Sequence, residues 1–323
     1  MTHAGRRNFL KQCAAGGVLA GGASPLLAQG QTPVTLATAT PGGGFPVWGD
    51  AYMKAINAAD PTLRVETHNT AGSGENIPAL ENGRFDLGLV QGESAHEAFA
   101  GIGRAPLKLK IVVAMYSSPG MFIVRADSPA HRIADLKGRT VAFGARSSGL
   151  VILARYVLDG IGLSQEKDFK AVYLERAGDG PPMVKDGRVA ALWGGGTGWP
   201  GFIKLMSDPD GARFIAPGEE EIKAIRAKYD FLKRLVIPAG TYPKQPQDMV
   251  SVGSWSFVLA RKDFPDDLAY RLTRALHQGQ DALGKGLPQA AESRVESIYG
   301  AAPNPEMIHP GTLKYLKEIG AAG

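Results

Sequence analysis

Residues 38–49 read TATPGGGFPVWG and join an apolar, β-prone run at residues 34–39 to a helical pattern at residues 52–59. Glycines at a strand-to-helix turn allow a close approach of the backbone and leave N–H groups free to bind an anion or a carboxylate. The stretch therefore predicts a strand–turn–helix unit whose turn has room for a ligand. A tight turn without any ligand fits the same spacing.

Two more polar turns follow strand patterns further along the chain. TAGSGEN occupies residues 70–76, and GARSSG occupies residues 144–149. The first turn is a poor match to a nucleotide loop, because it lacks the GxGxxG spacing and the Lys-Ser/Thr pair of a P-loop. Three polar turns at strand ends predict one ligand site on an α/β framework.

The order of strand and helix patterns predicts the architecture. Strands and helices alternate up to residue 116, which is typical of βαβ units, and the rhythm restarts after a break at residues 117–120. A long strand pattern at residues 250–260 is expected to run beside residues 121–126, and the end of the chain is predicted helical, including residues 289–297. We predict an α/β, two-lobed periplasmic-binding-protein fold (type II-like). Each lobe has a mixed, mostly parallel sheet flanked by helices.

Two crossing strands are expected to join the lobes, with the ligand in the cleft between them at the strand ends. Lobe 1 takes residues 29–117 plus 248–323, and lobe 2 takes residues 118–247. A single doubly wound domain with a long helical tail is the alternative layout.

The first 28 residues have the pattern of an export signal. Arg6, Arg7 and Lys11 precede a weakly apolar, Gly/Ala-rich stretch, and a small-residue cleavage site follows near Ala28. The pair of arginines resembles a twin-arginine leader. We therefore expect a periplasmic protein whose signal peptide is cleaved, and a cytosolic N-terminus or a membrane anchor is the alternative. Cys13 is the only cysteine of the chain, so cleavage would leave a mature protein without disulfides.

The composition excludes several classes of function. Of 36 basic residues three belong to the leader, and the remaining 33 nearly balance the 31 acidic ones. No block of like charge points to nucleic acid or to an anionic membrane surface. The six histidines show no HExxH or other metal-ligand spacing, so we expect neither a metal nor a cofactor. No stretch after the leader is long and apolar enough to span a bilayer.

Polar residues at the second turn and after the third strand are candidate ligand contacts. Ser73 and Asn76 offer a hydroxyl and an amide where a helix begins, although simple helix capping explains both residue types. Gln91 and Glu93 follow the third strand, where a side chain faces either the cleft or the solvent.

The third turn allows two interpretations. Ser148 and nearby N–H groups at a helix N-terminus suit a carboxylate, and Arg146 can pair with it. The same residues loosely match a nucleophile elbow, so a secreted serine hydrolase using Ser148 or Ser147 is the alternative function. It would need a later acid and histidine, and both downstream histidines lie in patterns typical of exposed segments.

Aromatic residues complete the candidate site. Phe45 follows the first glycine turn and is a candidate cleft wall, whereas Trp48 has the position of a core residue. Trp193 and Trp199 flank GGGTG, and we expect Trp193 in the core and Trp199 at the ligand. Tyr242 precedes the return to lobe 1, where its phenol can reach the cleft.

Taken in order, these segments resemble the TAXI family of solute receptors, which serve TRAP transporters. The resemblance covers residues 34–283. It rests on GGGFPVWG (42–49), TAGSGENIPALENGRFDLGLVQGESAHEA (70–98), DLKGRTVAFGARSSG (135–149), KDGRVAALW (185–193), GWP (198–200), IPAGTYP (237–243) and DFPDDLAYRLTRAL (263–276).

The resemblance implies a periplasmic receptor without catalytic activity. It would close around a small organic acid or amino acid and deliver it to the membrane subunits of a TRAP transporter, acting as a monomer. A sensor module for another membrane partner is a third hypothesis. By position the resemblance assigns ligand-binding roles to Gly43, Gly44, Phe45, Ser73, Asn76, Gln91, Ser148, Gly149 and Tyr242, to which the chain's own pattern adds Arg146 and Trp199.

The chain departs from the family pattern at three places. Phe45 and Pro46 stand where two tyrosines are usual, Arg146-Ser147 replaces a small Pro-Gly pair, and Ala190 stands where an aspartate is common. We therefore predict a carboxylate with a less polar far end than glutamate, because Phe45 offers apolar surface and no donor.

Overall fold

A computed structural model describes residues 30–323, and the predicted leader with its cleavage site near Ala28 lies outside the described residues. The strands are β1 (Thr32–Ala37), β2 (Leu63–His68), β3 (Leu87–Val90), β4 (Lys110–Pro119), β5 (Met121–Arg125), β6 (Thr140–Ala145), β7 (Lys170–Leu174), β8 (Ala191–Gly194), β9 (Ala212–Ile215), β10 (Lys233–Ile237) and β11 (Met249–Ala260).

The α-helices alternate with these strands and flank both sheets. They are α1 (Gly44–Ala59), α2 (Ser73–Glu81), α3 (Gly92–Ala100), α4 (Gly149–Gly160), α5 (Gln165–Asp168), α6 (Gly180–Lys185), α7 (Pro200–Ser207), α8 (Glu219–Lys228), α9 (Asp266–Gly286), α10 (Ser297–Ala301) and α11 (Pro310–Glu318).

The first sheet has six strands in the order β10–β11–β3–β1–β2, with β4 paired to β11. β1 lies parallel to β2 and β3, as βαβ units require, and β11 is antiparallel to β3, β4 and β10. The second sheet has the order β7–β6–β8–β5–β9, in which β6 is parallel to β7 and β8 while β5 is antiparallel to β8 and β9. The predicted α/β class with two mixed, helix-flanked sheets is confirmed. The sheets are less parallel than predicted, because the strand pairs β1–β2, β1–β3, β6–β7 and β6–β8 are parallel and the other five are antiparallel.

The expected partner of the long returning strand is wrong. β11 pairs with β4 from Gly253 opposite Pro119 to Ala260 opposite Lys110, whereas β5 belongs to the second sheet. The chain changes sheets at Gly120, whose N–H donates to the carbonyl of Val252 at 2.9 Å. A Cβ at Gly120 would lie only 2.5 Å from the ring of Trp193. Glycine is therefore needed where β4 passes into β5.

The segment made of β10 and the residues that follow it contacts both sheets. β10 pairs with β11 in the first sheet, while Ile237 at its end and Tyr242 beyond it pack in a hydrophobic cluster of the second sheet. The predicted lobe limits at residues 118 and 248 therefore stay a prediction.

The sequence of α1 explains how the first core forms. Trp48, Tyr52 and Ile56 follow one another at intervals of four and are fully buried, which gives the apolar stripe of a helix packed on a sheet. The Trp48 and Tyr52 rings stack at 4.9 Å, and Trp48 Nε1 donates to the Ser293 hydroxyl at 2.8 Å. The expectation that Trp48 is a core residue is confirmed.

The predicted helix at residues 289–297 is wrong. A short 3-10 helix, Pro288–Ala290, and the separate α10 flank a turn there. Glu292 accepts from the N–H of Ser117 at 2.6 Å, and the Ser293 hydroxyl donates to the carbonyl of Met115. These contacts with β4 hold the segment in a turn that its local helix propensity does not predict.

Candidate functional site

A cavity of about 70 Å³ lies where strands of both sheets end at their carboxyl termini. We call its two sides the first wall and the second wall. The first wall consists of Ala39, Thr40, Gly43, Gly44, Phe45, Ala71, Gly72, Ser73, Gln91, Tyr116 and Ser118, and the second wall of Gly144, Ala145, Ser148, Gly149, Leu150, Ala177, Leu192, Trp193, Gly194, Gly195 and Trp199.

Five helices point their N-terminal ends at this cavity. Gly44, Ser73 and Gly149 begin α1, α2 and α4, while Gln91 and Trp199 are the N-cap residues of α3 and α7. Helix N-termini carry free N–H groups and the positive ends of the helix dipoles. The cavity therefore favours a negatively charged group, without any charged side chain in its walls.

Eight of the eleven candidate residues line the cavity, and three do not. The eight are Gly43, Gly44, Phe45, Ser73, Gln91, Ser148, Gly149 and Trp199. The other three, Asn76, Arg146 and Tyr242, lie outside the lining, and their contacts show what each one does.

Asn76 braces the turns of the first wall. Its amide Nδ2 donates to the carbonyls of Thr38 at 2.7 Å and Leu89 at 2.8 Å, and its Oδ1 accepts from the Thr70 hydroxyl at 2.7 Å. The side chain thus ties the segments that follow β1 and β2 to the end of β3. Asn76 positions the first wall through these bonds.

Tyr242 holds the loop that follows β8 in place. Its hydroxyl donates to the carbonyl of Gly196 and accepts from the N–H of Gly198, both at 3.1 Å. Burial raises the pKa of this phenol, so it stays a neutral donor. Tyr242 therefore fixes the loop that leads into Trp199.

Arg146 is exposed, and its guanidinium carbon lies 4.6 Å from the ring centroid of Tyr173. A cation over an aromatic face at this distance is a favourable contact. The side chain is thereby engaged on the protein surface, outside the cavity lining.

Ser73 and Gln91 form a pair of hydrogen-bond donors in the first wall. Ser73 Oγ accepts from the N–H of Gln91 at 3.0 Å, which leaves its hydroxyl hydrogen for another acceptor. Gln91 Oε1 accepts from the Ser256 hydroxyl at 3.1 Å, and Ser256 in turn meets Ser118 Oγ at 3.1 Å.

The amide nitrogen of Gln91 completes this pair. Gln91 is only 3 % exposed, and within residues 30–323 its Nε2 has no hydrogen-bond partner, although the amide is near enough to Glu93 to oppose the rise of that residue's pKa. A buried donor without a partner carries a free-energy penalty of about 1–3 kcal/mol. The Gln91 amide, anchored at its oxygen, is therefore left with two candidate acceptors, which are the unpartnered Oε2 of Glu93 and a ligand in the cavity.

Glu93 was expected either in the cleft or at the surface, and it is in neither place. The side chain is fully buried between α3 and β11, and its Oε1 accepts from the Ser254 hydroxyl at 2.7 Å. Its Oε2 has no hydrogen-bond partner among the described residues. Burial raises the pKa of this carboxyl to about 7.

Tyr116 is a cavity residue that the sequence analysis missed. It is 3 % exposed, burial raises the pKa of its phenol, and its ring meets Phe45 edge to face with the centroids 6.5 Å apart. A tyrosine at the end of a predicted strand was the available signal. Trp193 was expected in the core and is indeed buried, yet it also forms part of the second wall.

The two walls touch directly around the cavity. The N–H of Gly74 donates to the carbonyl of Ser147 at 3.0 Å, and Trp199 Nε1 donates to the carbonyl of Gly42 at 3.3 Å. The N–H of Ala177 donates to the Thr40 hydroxyl at 3.1 Å. We call these three bonds the bridges. They join segments that follow strands of different sheets and describe a closed cleft.

The walls contain no group that would activate a serine. Among the described residues that line the cavity none is His, Asp, Glu, Lys, Arg or Cys. Ser148 Oγ accepts from the N–H of Leu150 at 3.3 Å and caps α4. Within residues 30–323 no group of three or more His, Cys, Asp or Glu side chains is arranged to hold a metal ion, and no helix has the length and apolarity to cross a membrane. The arrangement suits the binding of an anion by neutral donors.

Comparisons with known proteins agree with this geometry. The NMT1-like family matches residues 36–320. A solved structure of a protein from Bordetella bronchiseptica RB50 has a TM-score of 0.54 at 16 % identity over 91 % of this chain and 90 % of that one. A structure described as a periplasmic transporter has a TM-score of 0.54 at 16 % identity, covering 80 % and 87 %. A protein of Listeria monocytogenes, described as an L-cystine ABC transporter, has a TM-score of 0.50 at 15 % identity, covering 81 % and 98 %. At such identities the likeness concerns the fold, which is the two-lobed fold of periplasmic binding proteins.

Proposed function

The chain belongs to the NMT1-like family, a family of periplasmic solute-binding proteins, and we propose that it is an extracytoplasmic receptor for a small carboxylate. The carboxylate is held between the two walls and delivered to a TRAP-type membrane transporter. In this proposal the leader is cleaved near Ala28, and the mature protein acts in the periplasm as a monomer. Residues 29–117 plus 248–323 form one lobe, and residues 118–247 form the other.

One observation supports a carboxylate as the ligand. Ser73 and Gln91 both line the cavity at the N-termini of α2 and α3; both are buried, and the Ser73 hydroxyl and the Gln91 amide each have a hydrogen left to donate. A carboxylate accepts two such bonds at once and complements the helix dipoles. It would satisfy the Gln91 amide, which otherwise lies buried without a partner.

Closure is the mechanism that follows from this arrangement. A ligand on the first wall that also contacts Gly149 or Trp193 of the second wall binds the closed form more tightly than the open one. Ligand binding then shifts the population towards closure. The transporter recognises the closed form, and no chemical step takes place.

The hydrolase alternative receives no support from the site. Ser148 caps its own helix, and no histidine or carboxylate lines the cavity among the described residues. A nucleophilic serine needs an adjacent base. We therefore do not carry the hydrolase further.

The choice of a TRAP transporter rests on the TAXI resemblance of the polar turns. The likeness to an ABC transporter protein concerns the fold alone and does not bear on the partner. The energy source of uptake distinguishes TRAP from ABC transporters, since uptake by a TRAP system depends on an ion gradient.

Two measurements test the proposal. Native mass spectrometry of the freshly purified chain is expected to show a bound organic acid of low mass, and a bound cation or the absence of binding to any carboxylate would contradict it. In proteoliposomes that contain TRAP membrane subunits, uptake of the bound acid should require the receptor and an ion gradient. Uptake that requires ATP instead would refute the transporter assignment.

A further inference from the structure

The cavity lacks a partner for a positive charge. An α-ammonium group of an amino acid needs a carboxylate or several free acceptors, and a buried ammonium without them is strongly disfavoured. No acidic side chain lines the cavity among the described residues, and five helix N-termini add positive potential there. Both features act against an ammonium group.

Two carboxyl groups lie near the first wall without lining the cavity; Glu292 is engaged at both oxygens, whereas Glu93 is engaged at Oε1 and has no hydrogen-bond partner at Oε2 among the described residues. Glu93 accepts from Ser254 at 2.7 Å, and Glu292 accepts from the N–H and the hydroxyl of Ser117 at 2.6 Å and 3.0 Å. At the rim, Glu97 accepts from the Tyr156 hydroxyl at 2.9 Å and pairs with Arg155. None of these three carboxylates lines the cavity.

A second negative charge also lacks a partner. No arginine or lysine lines the cavity among the described residues, and Arg146 lies over Tyr173 on the surface. The free side-chain donors that we identify, on Ser73 and Gln91, are neutral and both belong to the first wall. The second charged end of a dicarboxylate would therefore have only helix N-termini, and no cationic side chain, to compensate it.

Four large apolar side chains form much of the remaining surface of the cavity, beside the hydroxyl residues Thr40, Tyr116, Ser118 and Ser148. Leu150, Leu192 and Trp193 face it from the second wall, and Phe45 faces it from the first. The indole N–H of Trp193 is taken by the carbonyl of Leu150 at 2.8 Å, so this side chain offers no donor to a ligand. The volume of about 70 Å³ corresponds to roughly five water-sized positions.

From these observations we propose that the ligand is a short monocarboxylate with an uncharged, largely apolar body and no ammonium group. Its carboxylate binds Ser73 and Gln91, and its body packs against Leu150, Leu192 and Trp193. This inference rests on the proposed function and narrows it, since it excludes the amino acids and diacids that the broader class includes.

A matched set of ligands tests the inference. The full chain is stripped of bound molecules by unfolding and refolding, and is titrated calorimetrically with butanoate, L-2-aminobutanoate and succinate. We expect butanoate to bind at least tenfold more tightly than either of the others. Equal or tighter binding of L-2-aminobutanoate or succinate overturns the inference and leaves the carboxylate receptor intact. Failure of all three to bind overturns both.

A charge introduced at the donor pair gives a second test. Gln91→Glu puts a carboxylate in place of the amide, and we expect it to weaken butanoate binding at least tenfold and to reduce the preference over L-2-aminobutanoate. The matched control is Gln165→Glu in α5, because Gln165 is also buried with an unpartnered Nε2 but does not line the cavity. An unchanged preference in a folded Gln91→Glu protein counts against the inference. If that variant does not fold, the ligand set decides on the wild-type chain.

Discussion

The two walls of the cavity are built by the same strand–turn–helix units, yet they offer a ligand different chemistry. The first wall presents side-chain hydroxyls and an amide, including Ser73, Gln91 and Tyr116. The second wall presents mostly glycine and apolar side chains. Ser148 accepts from its own helix, and Trp199 Nε1 donates to the carbonyl of Gly42. We infer that the first wall recognises the ligand, whereas the second wall covers it.

The difference shows how a repeated fold unit acquires two roles. In both walls helix N-termini meet the cavity, so both contribute positive potential. In the first wall a side-chain amide is held in a defined orientation, because the Ser256 hydroxyl on β11 donates to Gln91 Oε1 and Gln91 Nε2 keeps its hydrogens. Orientation by a neighbouring strand turns a general preference for anions into a defined donor position.

The largest effect is expected where the walls meet. Gly149 has no room for a side chain, because a Cβ there would clash with Gln91 and Ser94 in the closed cleft. Gly149→Ala should prevent full closure and weaken ligand binding about a hundredfold, at the upper end of what overpacking costs. Calorimetric titration measures this loss.

Gly300→Ala is the control, since a Cβ at Gly300 meets nothing within 4 Å. Thermal unfolding of both variants should stay close to wild type. Unchanged affinity of Gly149→Ala would mean that the second wall does not close on the ligand.

A smaller effect separates the two wall serines. Ser73→Ala removes a donor to the carboxylate, and a hydrogen bond to a charged group contributes about 1.5–3 kcal/mol, so binding should weaken about tenfold or more. Ser148→Ala removes a helix cap, which lowers stability by about 1 kcal/mol and leaves binding within about threefold. Affinities and melting temperatures of both variants check this contrast. The reverse order of effects would assign recognition to the second wall.

The next prediction concerns the buried acid beside the first wall. The pKa of Glu93 is raised from 4.5 to about 7, so the folded protein holds this proton more tightly than the unfolded chain does. Folding stability therefore falls as the pH rises from about 4.5 to 7, by an amount on the order of 3 kcal/mol. Glu93→Gln should raise the melting temperature by several degrees at pH 8.5 and by much less at pH 5.

The exposed Glu220 provides the matched control. Glu220→Gln is expected to shift the melting temperature equally little at both pH values. A pH-independent gain for Glu93→Gln would show that the Glu93 carboxyl is not desolvated in the folded protein.

The smallest effect is expected at Arg146. Because its side chain is exposed and lies over Tyr173, Arg146→Gln should change affinity less than about twofold. Titration with butanoate at low and high salt measures this. A tenfold loss of affinity that becomes smaller at high salt would show that Arg146 contacts the ligand and that the second wall contributes a charge.

Several features of this fold could be predicted from the sequence, because they depend on local pattern. The spacing of Trp48, Tyr52 and Ile56 identifies a helix and its buried face. The turns 42–49, 70–76 and 144–149 follow strands, so their residues meet at the carboxyl ends of the sheets.

The rest depended on contacts between distant segments. The pairing of β11 with β4 follows from a change of sheet at Gly120, which no local pattern records. The turn at Glu292 and Ser293 is fixed by Ser117 and Met115, more than 170 residues earlier. Asn76 and Tyr242 have polar groups of the expected kind, but which way such side chains point is decided by the carbonyls that they satisfy, and those could not be read from one chain.

The bridges between the walls have a consequence for how sensitively the protein responds to its ligand. All three join protein to protein, so they contribute to closure whether the cavity is filled or not. Each hydrogen bond makes a net contribution of about 1 kcal/mol to the stability of the closed form. Together the three bridges offset part of the entropy that is lost when the two lobes come to rest against each other. If a fraction of the free receptor is already in the closed form that binds the ligand, the apparent dissociation constant equals the intrinsic constant divided by that fraction. The bridges, two of which use the side chains of Thr40 and Trp199, therefore help to set the concentration at which the receptor fills, independently of Ser73 and Gln91.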